Sequence, residues 1–148
     1  MMRFEVSVSD EDRLKFAELS GDKNPLHIDQ EYASKTNFKK CIIHGAFSAG
    51  LLSRMAGLYL PGEKCLLTNL KMKFISPIYT PSILIVEGDL ISENDNGGVV
   101  EVNIINKKTG KLLTNGSYSF LFHSKEVTKK EYKYCQEGSE NNNGNVLV

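Results

Sequence analysis

The sequence predicts an α+β fold in which a mainly antiparallel sheet curls around one long apolar helix. Two observations indicate this: residues 46–60 are apolar or small around most of a helix, and three later apolar segments are separated by tight-turn residues. Because no other element is large enough to cover such a helix, the sheet must wrap around it. A chain of 148 residues holds one domain and is too short for a two-domain dehydrogenase or a kinase.

Composition excludes several classes of function. The 18 Lys and Arg residues are balanced by 18 Asp and Glu, so there is no excess positive charge for nucleic acid binding. Apolar runs are all shorter than the roughly 20 residues of a membrane helix, and acidic residues come early in residues 1–12, where a leader peptide needs apolar ones. Cys41, Cys65 and Cys135 are odd in number and lack CxxC spacing, which disfavours a disulfide framework or a zinc ribbon. We therefore expect a cytoplasmic protein without a nucleic acid or membrane partner.

The first elements follow from capping and turn residues. Residues 4–8 alternate apolar and polar side chains, which predicts a short strand. A capping box that begins at Ser9 then predicts a helix, and Gly21 is typical of its end. Residues 22–29 contain a proline and helix-poor polar side chains, so we expect a loop before a short helix capped by Asp29.

The long helix is predicted over residues 46–60 and is ended by Pro61-Gly62. Its apolar circumference implies burial on most sides. Gly45, Ala49 and Ser53 follow one another at four-residue spacing and form a stripe of small side chains. Such a stripe permits either tight packing on the sheet or close approach of a ligand, and both interpretations stay open here.

Period-two alternation predicts the remaining strands. Residues 70–74 indicate a half-buried strand that ends near Pro77. Three more strands are predicted over residues 83–91, 99–105 and 112–122, and the turn residues between them predict an antiparallel meander.

The domain is assigned to residues 1–124. Residues 125–148 are rich in Lys, Glu, Asn and Gly and cannot bury enough apolar area to offset the entropy of ordering. We expect these residues to form a polar, disordered C-terminal tail.

Polar residues that could take part in catalysis cluster around the early loop. His27 and His44 are two of only three histidines, and they lie near Asp22, Asn24 and Asp29. Asp22 and His27, five positions apart, are placed to share one water, since the carboxylate accepts a hydrogen bond and the imidazole exchanges a proton near neutral pH. A turn-capping aspartate and a histidine bonded to a backbone carbonyl would give the same spacing.

Gly45 directly precedes the long helix, where unpaired backbone amides and the helix dipole favour negative charge. A thioester carbonyl bound to that amide would be polarised, and the absent side chain lets an acyl group lie against the backbone. The alternative is a glycine that only begins a crowded helix.

Three motifs together carry a family resemblance: Ser20-Gly21-Asp22-Lys23-Asn24-Pro25-Leu26-His27-Ile28-Asp29, then Tyr32-Ala33, then Ile42-Ile43-His44-Gly45. From Leu14 to Phe122 the chain resembles the MaoC-like family of R-specific enoyl-CoA hydratases and 3-hydroxyacyl dehydratases. The resemblance implies a hot-dog fold, usually with two such units in a dimer.

The resemblance also implies roles for individual residues. Asp22 and His27 match the catalytic dyad that holds the attacking water, and Gly45 matches the glycine whose amide binds the thioester oxygen. Ser53 matches a supporting helix serine, although a serine bonded to its own i−4 carbonyl is an equal alternative. Asn24 is expected to steady the loop through an Asx-type turn.

His44 belongs to the same motif, and we interpret it as structural, holding the loop through hydrogen bonds. Lys40-Cys41 stands where the family commonly has Arg-Pro, so Lys40 offers a phosphate a point charge without the bidentate fork of arginine. Other cations considered for the phosphates of coenzyme A are Lys39, Arg54, Lys64, Lys71 and Lys73.

The predicted function is therefore (R)-specific hydration of a trans-2-enoyl thioester, or the reverse dehydration. The substrate carries coenzyme A or an acyl-carrier protein, and no metal or separate cofactor is expected. A hot-dog acyl-CoA thioesterase and a non-catalytic acyl-thioester-binding domain are the alternatives. A metal site at Asp22, His27, Asp29 and His44 and a Cys41 nucleophile are both disfavoured, because the resemblance explains these residues without a metal and nothing activates the thiol. Exposed sheet edges predict a homodimer or a dimer of dimers.

Overall fold

The computed structural model describes residues 1–123, so the predicted tail at 125–148 lies outside the described part. The elements are β1 (Met2–Val8), α1 (Asp10–Ser20), α2 (Pro25–Ile28), α3 (Gln30–Ser34), α4 (Phe47–Leu58), β2 (Cys65–Phe74), β3 (Ser82–Glu93), β4 (Gly97–Asn106) and β5 (Leu112–Phe122). Among residues 1–123, no helix has the length and apolar content needed to cross a membrane.

One five-stranded antiparallel sheet organises the chain, with strand order β1-β3-β4-β5-β2. The predicted meander β3-β4-β5 is confirmed, and β1 and β2 form the two edges. Register shifts interrupt the β2–β5, β3–β4 and β4–β5 pairings, and such bulges increase the local twist of a sheet. Helix α4 contacts β2, β5 and β3, so the α+β class and the sheet folded around a central helix are confirmed.

The core lies between α4 and one face of the sheet. Leu52 and Met55 of α4 are fully buried, and the facing positions are the alternate residues of the central strands. The core-facing sheet residues are Leu84, Val86, Val100, Val102, Ile104, Tyr118 and Phe120. Gly116 lets the helix approach closely, because a Cβ there would lie 3.1 Å from Cδ2 of Leu52 and 2.7 Å from the carbonyl oxygen of Lys71.

Helix α4 is less covered than its composition predicts. It runs from Phe47 to Leu58, and its buried residues lie on the side that faces the sheet. Gly50 and Ser53 are exposed, and Leu58 retains 69% of its accessible surface. Burial on most sides is therefore wrong for the single chain, because one curled sheet covers only one side of the helix. Within the small-residue stripe, Gly45 lies against the ring of Phe74 on β2, whereas Ser53 is exposed.

Edge strand β2 shows the same lack of cover. The predicted strand at 70–74 is present and begins earlier, at Cys65. A half-buried strand would place Leu70, Met72 and Phe74 on its buried face, yet Leu70 and Phe74 are 39% and 58% exposed. Helix α4 contacts this strand, and Cys65, Leu67 and Met72 pack against the core, but the side chains of Leu66, Leu70 and Phe74 remain open.

Helix α1 is defined by its caps. The Ser9 hydroxyl accepts from the amide of Asp12 at 3.1 Å, and the Asp12 carboxylate accepts from the amide of Ser9 at 2.8 Å, which confirms the capping box. Hydrogen bonds from the Ser9 backbone and hydroxyl lower the pKa of the Asp12 carboxyl. At the other end, Gly21 has φ of 74°, the left-handed conformation that glycine favours.

Replacing Ser9 by Ala removes the acceptor for the Asp12 amide, and we expect the free energy of unfolding to fall by about 1 kcal/mol. Urea denaturation at neutral pH measures this. The loss should shrink as pH falls through the lowered pKa of the folded Asp12 carboxyl, because the Ser9 hydroxyl also donates to the charged carboxylate, at 2.8 Å, and this bond weakens when the carboxyl is protonated. Ser7→Ala, on the exposed side of β1, is the matched control, and an equal loss in both variants would contradict the capping role.

Candidate active site

The early polar segment is better ordered than a loop. Asp22 follows the left-handed turn at Gly21, and its carboxylate accepts from the amide of Asn24 at 3.1 Å. The side chain of Asn24 then accepts from the amide of Leu26 at 3.0 Å, an Asx-type contact that caps α2. The expectation of a continuous loop over 22–29 is therefore wrong, because this cap and Pro25 at the first helical position start a single helical turn.

His27 lies on that turn and is anchored by its ring. Its Nδ1 lies 2.8 Å from the carbonyl oxygen of Ile42, and since a carbonyl only accepts, Nδ1 carries the proton. In the neutral ring Nε2 is then an acceptor. The imidazole is consequently held in the tautomer that leaves a lone pair free for a water or a substrate.

His44 makes the complementary contact. Its Nε2 donates to the carbonyl oxygen of Asp22 at 2.7 Å, and its ring stacks on that of His27 with centroids 3.8 Å apart and 28° between the planes. His44 is 3% exposed, and the ring of Phe16 packs against it at 5.0 Å. These contacts support the interpretation that His44 is a structural residue of the loop.

Asp22, His27 and His44 form one compact cluster. A potential ligand atom from each of the three lies within 4.8 Å of those from the other two, and the Asp22 carboxylate lies 3.8 Å from Nε2 of His44. Nε2 of His44 is already bonded to the carbonyl of Asp22, so that nitrogen is not available to a metal ion. Asp29 is not a member, since its carboxylate caps α3 at the amide of Tyr32.

Gly45 lies two residues before α4. The amides of Phe47 and Ser48 bond to the carbonyls of His44 and Gly45, each at 3.0 Å, whereas the Gly45 amide has no hydrogen-bond partner within residues 1–123. Ring atoms of Phe74 would lie 3.1 Å from a Cβ at this position. The missing side chain makes room for Phe74, and the amide is unpaired within residues 1–123, so both sequence interpretations stay open.

Other predicted site residues are not brought to the cluster. Ser53 is exposed, its hydroxyl makes no hydrogen bond within residues 1–123, and it lies eight residues, about 12 Å of helical rise, from Gly45. Lys40 is exposed on the loop that precedes the His44 motif. Arg54 lies over the ring of Phe4 at 4.4 Å, so its charge is already engaged away from a phosphate site.

Two contributors to the site were not predicted. Phe16 packs on His44, and the buried guanidinium of Arg13 donates to the carbonyl of His27. Both lie on α1 at three-residue spacing, which is the signal that a search for a helix face would use. The apolar residues Leu14 and Leu19 of the same helix would be expected to mark its buried face, but both are exposed.

Comparison with known proteins agrees with the motifs. The family model for the MaoC like domain matches residues 2–112. An (R)-specific enoyl-CoA hydratase from Rhodospirillum rubrum is 42% identical over 72 residues, covering 49% of this chain and 50% of that protein. An (R)-specific enoyl-CoA hydratase from Aeromonas caviae is 39% identical over 101 residues, covering 68% and 71%. The chain thus spans about half the length of the first relative.

Solved structures show the same architecture. R-hydratase PhaJ1 from Pseudomonas aeruginosa superposes with a TM-score of 0.75 and 29% identity, covering 81% of this chain and 77% of that one. The (R)-hydratase from A. caviae gives 0.73 and 27% identity, covering 80% and 90%. The hot-dog fold that the resemblance implies is confirmed.

Replacing His44 by Phe keeps a ring for stacking but removes the donor to the Asp22 carbonyl. We expect the free energy of unfolding to fall by about 1 kcal/mol and amide exchange at residues 22–24 to accelerate. Hydrogen–deuterium exchange with mass spectrometry measures the local effect. His123→Phe is the control, because exposed His123 also faces a carbonyl, that of Glu63 at 3.3 Å. Unchanged exchange in H44F would contradict the anchoring role.

Proposed function

The chain belongs to the MaoC-like domain family, and on that premise we propose that it catalyses reversible addition of water to a trans-2-enoyl thioester, giving the (R)-3-hydroxyacyl thioester. One observation carries the proposal: the Asp22 carboxylate and the His27 imidazole approach within 4.8 Å while Nδ1 of His27 is committed to Ile42. The carboxylate and Nε2 of His27 are then two acceptors on neighbouring side chains. The names of the hydratase relatives support the same reaction and its stereochemistry.

A water between these groups donates one proton to the Asp22 carboxylate and the other to Nε2 of His27. Its oxygen lone pair is then directed at the substrate, where it forms a bond to C3 of the enoyl group. The C2=C3 double bond is consumed as one proton of that water leaves for the dyad and C2 gains one, so the net change is addition of H and OH. Asp22 and His27 share these two proton transfers.

The Gly45 amide stabilises the negative charge that moves onto the thioester oxygen during attack. Its hydrogen is not used by another described residue, and the neighbouring Phe74 ring provides an apolar wall. Hydrogen bonds to a developing oxyanion are stronger where water is excluded, and loss of one such donor costs other enzymes about 3 kcal/mol.

The proposed substrate is an acyl thioester of coenzyme A or of an acyl-carrier protein, and the reaction uses no metal and no further cofactor. An exposed lysine such as Lys40 offers its charge to the phosphate of either carrier. Matched thioesters of both carriers, tested at several acyl lengths, separate these substrates.

Asp22→Asn and His27→Ala should each lower kcat/KM for hydration of crotonyl-CoA by about 10²- to 10⁴-fold, because each removes one proton acceptor from the water. The loss of enoyl absorbance measures the rate. Asp29→Asn is the matched control, since it changes a nearby carboxylate that only caps α3, and its kcat/KM should stay near the wild-type value.

Other results of this assay would replace the proposal. Wild-type kcat/KM in both dyad variants would contradict the assignment of Asp22 and His27. Release of free thiol from saturated acyl-CoA without hydration would identify a thioesterase, and binding without turnover would identify an acyl-thioester-binding domain. Loss of activity in EDTA, restored by a divalent ion, would contradict the metal-free reaction.

We further propose that the chain acts as a homodimer in which a second copy covers β2 and the open side of α4. Leu66, Leu70 and Phe74 of this edge are 52%, 39% and 58% exposed, and the edge also presents unpaired backbone groups. An open apolar edge of this kind is a site for strand pairing between copies. Because Phe74 touches Gly45, the covered region would adjoin the candidate active site.

Light scattering at micromolar concentration should give twice the chain mass of 16.5 kDa or a multiple of that dimer. Leu70→Glu should shift the mass toward the monomer, because a charge would then be buried between the copies. Leu90→Glu is the control, since Leu90 is equally exposed, at 39%, but lies on the interior strand β3. A monomeric wild-type protein, or equal dissociation in both variants, would contradict the proposal.

A further inference from the structure

Arg13 is a buried charge in a helix whose neighbouring leucines are exposed. It is 8% exposed on α1, whereas Leu14 and Leu19 are 45% and 87% exposed. A buried charge is costly unless it is paired and hydrogen-bonded, so the contacts of Arg13 must compensate for the water it has lost.

The guanidinium group uses all three of its nitrogens. Nε donates to the hydroxyl of Thr80 at 3.1 Å, and one terminal nitrogen lies 3.3 Å from the Asp10 carboxylate. The Thr80 hydroxyl in turn donates to that carboxylate at 2.7 Å, and this hydrogen bond is the main reason why the pKa of Asp10 is lowered. The other terminal nitrogen donates to the backbone carbonyl of His27. Asp10 and Thr80 thus balance and orient the charge, and the remaining donor is directed at His27.

The carbonyl of His27 is a group that α2 itself cannot satisfy. The helix has four residues, Pro25–Ile28, and the last carbonyls of a helix lack partners within it. Arg13 supplies the missing donor from a different element, α1. His27 is therefore held at two points, its main chain by Arg13 and its ring by the carbonyl of Ile42.

Asp22 is held differently. Its position depends on the turn at Gly21, on the Asn24 amide and on His44, whereas the side chain of Arg13 bonds to Thr80, Asp10 and His27. A change at Arg13 therefore acts first on the main chain of His27, and it reaches Asp22 only through the stacked ring of His44.

We propose that Arg13 is a positioning residue that sets the placement of the His27 imidazole through its backbone carbonyl. This inference rests on the proposed hydration reaction for its kinetic consequence. The contact does not reach substrate, so substrate binding should depend little on Arg13, while the proton-transfer step should depend on it strongly.

Arg13→Met tests this, because it keeps a long side chain and removes every donor. We expect kcat for crotonyl-CoA hydration to fall about 10- to 100-fold, with KM within about twofold of wild type. Arg13→Lys retains one donor nitrogen and should recover part of the lost kcat. The control is Arg3→Met, which removes an exposed arginine of β1 that pairs with Glu87 of β3. This variant should leave kcat and KM unchanged.

A spectroscopic readout tests the placement without turnover. The chain has three histidines, so ¹⁵N-edited spectra of the imidazoles give three resolvable sets of signals. R13M should shift the Nδ1 and Nε2 signals of His27 most, shift those of His44 less because its ring stacks on that of His27, and leave those of His123 near their wild-type positions. R3M should shift none of them.

Wild-type kcat together with unshifted His27 signals in folded R13M would overturn the proposal, as would equal shifts in all three histidines. If R13M does not fold, R13K decides: a lowered kcat with shifted His27 signals supports the role, and wild-type values for both overturn it. Absence of hydration by the wild-type protein would refute the proposed function, and the imidazole spectra would still test the positioning role.

Discussion

A reciprocal pair of imidazole–carbonyl hydrogen bonds holds the candidate active site together. His27 donates to the carbonyl of Ile42, which lies in the segment of His44, and His44 donates to the carbonyl of Asp22, which lies in the segment of His27. Each of the two segments thereby ties down the other. The stacked rings, 3.8 Å apart, fill the space between them, so neither segment moves without breaking a bond of the other.

This arrangement assigns different tasks to two similar side chains. His44 is buried, and its Nε2 donates to the main-chain carbonyl of Asp22, which holds the turn at Asp22 in place. His27 has its donor on Nδ1 and keeps Nε2 as an acceptor, on an imidazole that lies beside the Asp22 carboxylate. The difference arises from which ring nitrogen bonds to a carbonyl. It leaves His44 with a structural role and His27 with the proposed catalytic role.

Sequence patterns predicted most of the fold because the relevant forces are local. The Ser9 capping box, the stop at Gly21 and the meander of β3, β4 and β5 all follow from capping, turn residues and period-two alternation. The four-residue helix α2 was missed because so short a helix has no periodicity, and its stability comes from caps and from tertiary contacts. Burial of α4 and β2 was overestimated, since hydrophobicity shows that a surface needs cover but not which chain supplies it.

The candidate dyad was recognisable from its motifs, whereas its supports were not. Arg13 reaches His27 across 14 positions of sequence, and no local pattern specifies that contact. The partners of His27 and His44 are peptide oxygens, which every amino acid at positions 42 and 22 would present alike. A substitution at residue 42 therefore leaves the carbonyl that accepts from His27 in place. The two imidazole–carbonyl hydrogen bonds are sensitive chiefly to insertions or deletions that alter the spacing between the two segments. In a library of variants, length changes between residues 28 and 41 would be less tolerated than substitutions at Ile42.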